Sequence, residues 1–515
     1  MNGAESLVKT LVDCNVDVCF ANPGTSEMHF VAALDEIKGM RCVLGLFEGI
    51  VTGAADGYFR LARKPACTLL HLGPGLANGV ANLHNAKKAN SGIINIVGQH
   101  ALGHIALDAP LTSDIEGIAK PVSNFIIMPS EVSEVGRAAV SAVAAASGVP
   151  QQIATLILPA DMAWSDGGLP DKNQKNSDYQ SIDEQKITEA AALLSSGEKT
   201  LILLGGNALN EETISRAGRI ARQTNCKLLT EWSNARLDRG AGRVELNRIP
   251  YVVEKAVAVL KQFEKIILVG AREPVAFFAY PNQPGRLSSP NCQFLTVSDS
   301  SQNADSALEM LEERVGAKKL RPVNINTISK PQIPNGNISL DGIACVLGAF
   351  LPEGAIVVDE SVTTGREFFP RTACAEPHVW LNNRGGSIGF GLPVALGASI
   401  ACPNRKVIAL QSDGSGMYTP QAIWSIAREK LDITILIFSN RSYNILYGEL
   451  KNVGVNQPGP HADKMFSLRN PDINWVSLAS GMGVEATKVD DMKSFSSAFK
   501  FAMDQQHPYL IEIEI

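Results

Sequence analysis

Short apolar runs rich in Val, Ile and Leu alternate along the chain with longer segments whose apolar residues recur at helical spacing. Runs of about four to eight such residues, closed by Gly, Asn or Asp, read as buried strands, and their alternation with helices predicts parallel sheets crossed over by helices. The class is α/β. In the first third, 17–24 (DVCFANPG) reads as strand into turn, 41–49 (RCVLGLFEG) as strand into helix, 66–75 (ACTLLHLGPG) as strand into a Gly-rich turn, and 92–99 and 154–161 as further strands. Residues 166–183 are polar and aperiodic and read as a linker. A second set of strands, 200–206, 227–232, 265–271 and 292–299, is interleaved with amphipathic segments at 211–223 and 252–263. Residues 316–336, with three prolines and no period, form the second expected linker. The third block carries strands at 355–361, 378–383, 406–414, 433–442 and 510–515. The expected architecture is three open parallel-sheet α/β domains, at 1–165, 184–318 and 337–515.

Composition narrows the class. A chain of 515 residues, 45% hydrophobic and 19% charged, has material for several buried cores and is neither disordered nor fibrous. Lys plus Arg number 46 against 52 Asp plus Glu, so no overall basic footprint draws the chain to nucleic acid or anionic lipid. Nine dispersed cysteines without a CxxC suggest neither a disulfide framework nor a zinc site. No secretory pattern opens the sequence, and no apolar stretch reaches the roughly 18 residues that span a bilayer. The expectation is a soluble cytoplasmic protein acting on small molecules.

Candidate chemistry concentrates at two strand ends, Ser412-Asp413-Gly414-Ser415 and Ser439-Asn440-Arg441-Ser442. Open parallel sheets present ligand crevices at such places. A carboxylate, an amide oxygen and a main-chain carbonyl are hard donors suited to Mg²⁺, which keeps waters and takes diphosphate oxygens. A strand-end turn with a helix cap would look the same.

The pair resembles the GDG…NN metal-diphosphate motif of thiamine diphosphate enzymes. The likeness extends along the chain: FANPGTSE (20–27), LFEGIVTGAADGYFRLARKPA (46–66), LHLGPGLANGVANLHNA (70–86), GGSIGFGLPVALGASIA (385–401) and LIEIEI (510–515) stand in the order and spacing of benzoylformate decarboxylase and acetolactate-synthase-like proteins. Two positions depart from the motif, Ser412 for its first Gly and Ser439 for its first Asn. The resemblance implies Mg²⁺ held by Asp413, Asn440 and the carbonyl of Ser442. It implies a diphosphate held with help from Val362, Thr363, Gly414, Ser415 and Tyr443. Ile388 would wedge between the cofactor's rings, and the Gly386 carbonyl would accept from its amino group. Glu48 matches the activating glutamate that favours the imino tautomer and so the C2 ylide; its structural alternative is a carboxylate stabilised at a helix start. Because that glutamate and the diphosphate domain come from different subunits in the family, at least a homodimer, and a homotetramer beyond it, is implied. No FAD is expected.

His71 matches a catalytic histidine of benzoylformate decarboxylase, where an imidazole can protonate an enamine near neutral pH. Thr25 stands at its substrate-binding serine. The second catalytic histidine is missing, and its region, 273–281, offers Phe277 and Phe278. Ile445, with Leu446 and Glu449, follows the metal motif on the substrate side. His84, His100 and His104 receive no role. The reading leans to a 2-keto acid decarboxylase, with an acetolactate-synthase-like carboligase as the alternative, since the two share every step to the enamine. Three other readings are weaker. A serine hydrolase on the GxSxG at 385–389 lacks a strand directly before Ser387, a dehydrogenase lacks GxGxxG, and a non-catalytic homologue would not need Glu48.

Overall fold

The computed structural model describes residues 1–173 and 176–515; positions 174 and 175 of the expected first linker lie outside the described residues. Among the described residues the strands build three α/β sheets. The first runs Arg41–Leu44, Val18–Ala21, Ala66–Leu70, Ile93–Gln99, Ile153–Pro159, Phe125–Ile127, parallel throughout. The second runs Asn247–Arg248, Lys227–Thr230, Thr200–Leu204, Lys265–Val269, Gln293–Ser298. The third runs Glu485–Val489, Tyr509–Glu514, Ile433–Ser439, Val407–Ser412, Ile356–Glu360, His378–Asn382, Leu237–Arg239. Its central strands are buried at nearly every position, which is why they read as unbroken apolar runs rather than alternating ones.

The last strand of that sheet is a departure from the expected layout. Leu237–Arg239 comes from the middle of the chain and pairs antiparallel with His378–Asn382, Arg239 opposite His378. Three residues are too few to show a period, so the run was illegible. The 72–75 segment also differs: it is the first turn of helix Leu72–Lys88 rather than an open turn. Short strands at 125–127 and 485–489 were likewise not anticipated.

Strand order places the crevices. In the first sheet the chain moves from Val18–Ala21 to one neighbour, Arg41–Leu44, and then returns to the other side at Ala66–Leu70. In the third it moves from Ile356–Glu360 to His378–Asn382 and back to Val407–Ser412. Each reversal is a switch point, where loops diverge and leave room for a ligand.

Glycines let the first and third domains meet. Helix Glu48–Ala62 crosses helix Gly391–Ala401 so closely that a Cβ on Gly57 would lie 2.2 Å from the Val394 carbonyl oxygen, and one on Gly397 1.8 Å from that of Ala54. Residues of both sheets therefore share one apolar core. Within it the buried Arg60 makes a bidentate pair with Asp56 and donates to the carbonyl of Asn382 at 2.8 Å. No helix among the described residues is long and apolar enough to cross a membrane, and all nine cysteines are free.

Candidate active site

Glu48 is the first residue of helix Glu48–Ala62 and is buried. Asn78 donates to its Oε2 at 3.0 Å, while Oε1 has no hydrogen-bond partner among the described residues. Gly75 leaves space over that oxygen, since a Cβ there would lie 3.2 Å from it.

His71 ends strand Ala66–Leu70 and precedes Leu72, a non-glycine residue at φ +47°. Its Nδ1 lies 3.0 Å from Glu27 Oε2 and 3.1 Å from Ser26 Oγ. Glu27 is itself buried and accepts from Ser26 Oγ at 2.5 Å and from the Gly24 N–H at 2.8 Å. A carboxylate fixed in this way assigns Nδ1 as the protonated nitrogen, and Nε2 has no hydrogen-bond partner among the described residues. Thr25, beside Glu27, is exposed.

At the third sheet's switch point, Asp413 opens a short helix, Asp413–Gly416, and is 2% exposed. Its Oδ2 accepts from the Arg441 N–H at 2.5 Å and its Oδ1 from the Gly414 N–H at 2.8 Å. Burial pushes its pKa up to about 6, against the downward pull of those two amides. Asn440 Oδ1 accepts from the Ser442 N–H at 2.9 Å, which folds this turn back on itself. Tyr443 packs on Gly414, where a Cβ would meet its ring at 2.5 Å. Val362 sits at φ +50° and Arg441 at +55°, costly for a β-branched and a long side chain and held by the surrounding structure. Thr363 is half-buried. Ser415 is buried, its hydroxyl within hydrogen-bond distance of Gln411 Nε2, the Ser412 N–H and the Glu360 and Ser412 carbonyls, which ties the start of the short helix to the neighbouring strand.

Loop 383–389 lies between these features. Gly386 (φ +82°) and Gly389 (φ +96°) flank the half-buried Ile388. Glu360 fixes the loop's end: its buried carboxylate accepts from the N–H groups of Gly389, Phe390 and Gly391 at 2.9–3.0 Å and from Gln411 Nε2 at 2.7 Å. Burial raises its pKa against these four bonds. From the first domain, Asn85 bonds the Ser387 N–H and carbonyl, Asn82 bonds the Gly389 carbonyl and His84 the Gly385 carbonyl. Among the described residues no histidine hydrogen-bonds the Ser387 hydroxyl, as a hydrolase nucleophile would need.

Phe277 leans on this loop, its ring 2.6 Å from where a Gly386 Cβ would be, and Phe278 stacks edge-on to it at 4.7 Å. A cavity of about 320 Å³ opens here, walled by Trp232, Tyr251, Phe277, Arg384 and Gly385. Ile445 lies half-buried in the first turn of helix Asn444–Asn452. No hydrogen bond among the described residues joins Glu48, Glu27 or His71 to the 360–363, 412–415 or 440–443 group.

Sequence reasoning overlooked Glu27, Asn78, Asn82, Asn85, Glu360 and Gln411. Three of them had a signal. Asn78, Asn82 and Asn85 fall at i, i+4 and i+7, a polar stripe of poor helix formers on one face of a helix.

The chain matches the thiamine pyrophosphate enzyme N-terminal binding domain over residues 1–117 and the C-terminal binding domain over 366–513. It belongs to the thiamine diphosphate-dependent enzymes related to benzoylformate decarboxylase and acetolactate synthase large subunits. It is 45% identical over 521 residues, spanning all of this chain and 99% of the other, to the "Putative acetolactate synthase large subunit IlvX" of Mycobacterium tuberculosis. It is 27% identical, over 96% of this chain and 95% of the other, to the benzoylformate decarboxylase of Pseudomonas aeruginosa. The fold matches that of the thiamine diphosphate-dependent 4-hydroxybenzoylformate decarboxylase of Rhodococcus jostii RHA1, with a TM-score of 0.88 at 24% identity, covering 100% of this chain and 99% of that one. The chain is thus an enzyme of the class that processes 2-keto acids with thiamine diphosphate.

Proposed function

We propose that this enzyme decarboxylates a 2-keto acid and joins the remaining acyl group to a second carbonyl compound, as acetolactate synthases do. The observation that carries the chemistry is Glu48, a buried carboxylate with one oxygen fixed by Asn78 and the other left free to hold and return a proton. When bound, thiamine diphosphate supplies the electron sink that lets CO₂ leave.

The residues present fit that cofactor. A desolvated carboxylate with a raised pKa, as at Asp413, is what a hard cation stabilises, so Asp413, Asn440 and the Ser442 carbonyl are assigned to Mg²⁺. Among the described residues no three His, Cys, Asp or Glu side chains cluster as a metal site, in keeping with a set that takes one carboxylate, one amide and one carbonyl. Val362, Thr363, Gly414, Ser415 and Tyr443 are assigned to the diphosphate, and Gly386 and Ile388 to the ring system. In this reading 1–165 binds the pyrimidine, 184–318 is the central domain and 337–515 binds the diphosphate. Two copies related by a two-fold axis complete each site, in a homodimer at least and a homotetramer by extension.

Carboligation is favoured over simple aldehyde release by the 45% identical relative, and by Phe277 and Phe278 standing where a second proton donor would otherwise be. An apolar wall keeps water from the reacting carbon and lets a second carbonyl compete. Decarboxylation is the second reading, supported by His71, whose Nδ1 is clamped by Glu27 while Nε2 is left to take up a proton and pass it on. The test is a panel of 2-keto acids, pyruvate and benzoylformate included, with Mg²⁺ and thiamine diphosphate, quantifying CO₂, aldehyde and acyloin. Acyloin in excess of aldehyde is expected; aldehyde alone would leave the decarboxylase, and no CO₂ from any acid would refute both.

A further inference from the structure

Segment 273–281 leaves a proton-transfer role unfilled, yet it ends on a polar contact. Tyr280 Oη donates to Glu449 Oε2 at 2.6 Å. Asn452 reaches the same oxygen at 3.4 Å, so Oε1 has no hydrogen-bond partner among the described residues. The pair spans the candidate cradle. Helix Asn444–Asn452, which carries Glu449, starts directly after Tyr443, whose ring lies on Gly414 at the metal end. The segment that carries Tyr280 places Phe277 on Gly386, at the ring end. The helix has no fully buried residue, and the shortest side-chain contact that fixes Glu449 is the bond from Tyr280.

We propose that Glu449 is a general base of the product-releasing step and that Tyr280 positions it. This rests on the thiamine diphosphate 2-keto acid reading. The product's hydroxyl proton passes to Glu449 Oε1, and the O–H electron pair closes the carbonyl. Thiamine diphosphate, when bound, would supply the sink for the electron pair of the bond that is broken, and solvent would then take the proton from Glu449. Carboligation and decarboxylation both end in such a release, so the role is needed in either.

The groups facing Glu449 are two phenols of the central segment, Tyr280 and Tyr251, with Arg366 directed at Tyr251. Tyr447, on the same helix, is turned to Asp463 at 2.6 Å. Burial first, and the Glu449 charge after it, hold both Tyr251 and Tyr280 above the ordinary phenol value.

The experiment uses the holoenzyme and the variants E449Q, E449D and Y280F. Loss of Glu449 removes the acid limb of the kcat–pH profile, and E449D restores it. Y280F, which deprives the charged carboxylate of a hydrogen bond, moves that limb up by about one pH unit with little change in KM. A readout independent of turnover is the ultraviolet titration of the phenols, in which E449Q lowers the pKa of Tyr280 and of Tyr251. An acid limb unchanged in E449Q, or phenol titrations that coincide, overturns the inference while 2-keto acid turnover stands. Absence of all turnover in the wild type refutes the underlying function instead, and the proton role with it.

Discussion

Replacing Asp413 with Asn separates what this carboxylate costs the fold from what it gives the site. An unfolded Asp ionises near 3.8, whereas burial holds the folded group near 6. Between those values the folded chain binds more protons than the unfolded one, so stability falls as pH rises through that window and is level above it. A gap of about two units corresponds to about 3 kcal/mol of destabilisation in the metal-free protein at about pH 7.5. The carboxamide introduced by Asp413→Asn would keep the bond from the Arg441 N–H but lose an acceptor for the Gly414 N–H, offsetting about 1 kcal/mol. The metal-free variant is therefore expected to be more stable than wild type by about 2 kcal/mol at about pH 7.5, and less stable by about 1 kcal/mol near pH 3.5. Because a chain of several domains does not unfold in two states, the assay is native-state hydrogen exchange at the amides of Val407–Ser412 in EDTA, at both pH values. The same variant should lose Mg²⁺-dependent cofactor binding by calorimetry. A variant less stable than wild type at the higher pH refutes the reasoning, because Asp413 would then be a structural carboxylate.

Other substitutions probe the remaining parts. Glu48→Gln should keep calorimetric binding of Mg²⁺ and thiamine diphosphate while turnover of 2-keto acids falls by about 10²- to 10⁴-fold, and unchanged turnover would remove Glu48 from the chemistry. Glu360→Gln keeps one acceptor oxygen and turns an NH2 toward either Gly389 and Phe390 or Gly391 and Gln411, leaving two buried donors unmet, so a loss of about 3–5 kcal/mol is expected, read as faster hydrogen exchange across 386–391. Gly386→Ala combines a left-handed φ with contact on the Phe277 ring; about 1–2 kcal/mol of backbone cost and weaker cofactor binding should appear together, and a neutral result would mean the loop can move away.

The class and most elements were legible because buried parallel strands write themselves as continuous apolar runs: Ile433–Ser439 is apolar or β-branched at every position but its last, and lies in the middle of its sheet. Leu237–Arg239 was not legible, since its place depends on an edge presented by His378–Asn382, over a hundred residues later. The same division holds in the site. Asp413, Asn440 and His71 stand at strand ends, where local pattern and motif coincide. Glu360 and Glu27 look in the sequence like ordinary acidic residues beside a strand or turn. Their significance comes from partners, three amides of loop 389–391 for one and the ring of His71 for the other, that only the folded chain brings within reach.

The two halves of the candidate site are also built to different stiffness, and this follows from how each is held. Loop 383–389 is bonded from three directions, by Glu360 beneath, by Asn82, His84 and Asn85 of the first domain, and by Asn383 within. It surrounds the residues assigned to the cofactor, whose ring geometry leaves little tolerance, and charge-assisted bonds to a buried carboxylate are the stiffest that side chains supply. Helix Asn444–Asn452 has no fully buried residue and bonds to the central segment through Tyr280 and Glu449. Its apolar residues Ile445, Tyr447 and Leu450 are only partly buried, so opening on that side exposes little apolar area and local stability is correspondingly low. Fixed cofactor residues beside a weakly held substrate wall allow the enzyme to change what it admits without disturbing the groups that activate the reaction. If the proposed function holds, the wall formed by Phe277, Phe278 and helix 444–452 is where differences in substrate between this chain and its relatives should arise, while Glu48, Glu360 and Asp413 would serve the shared chemistry.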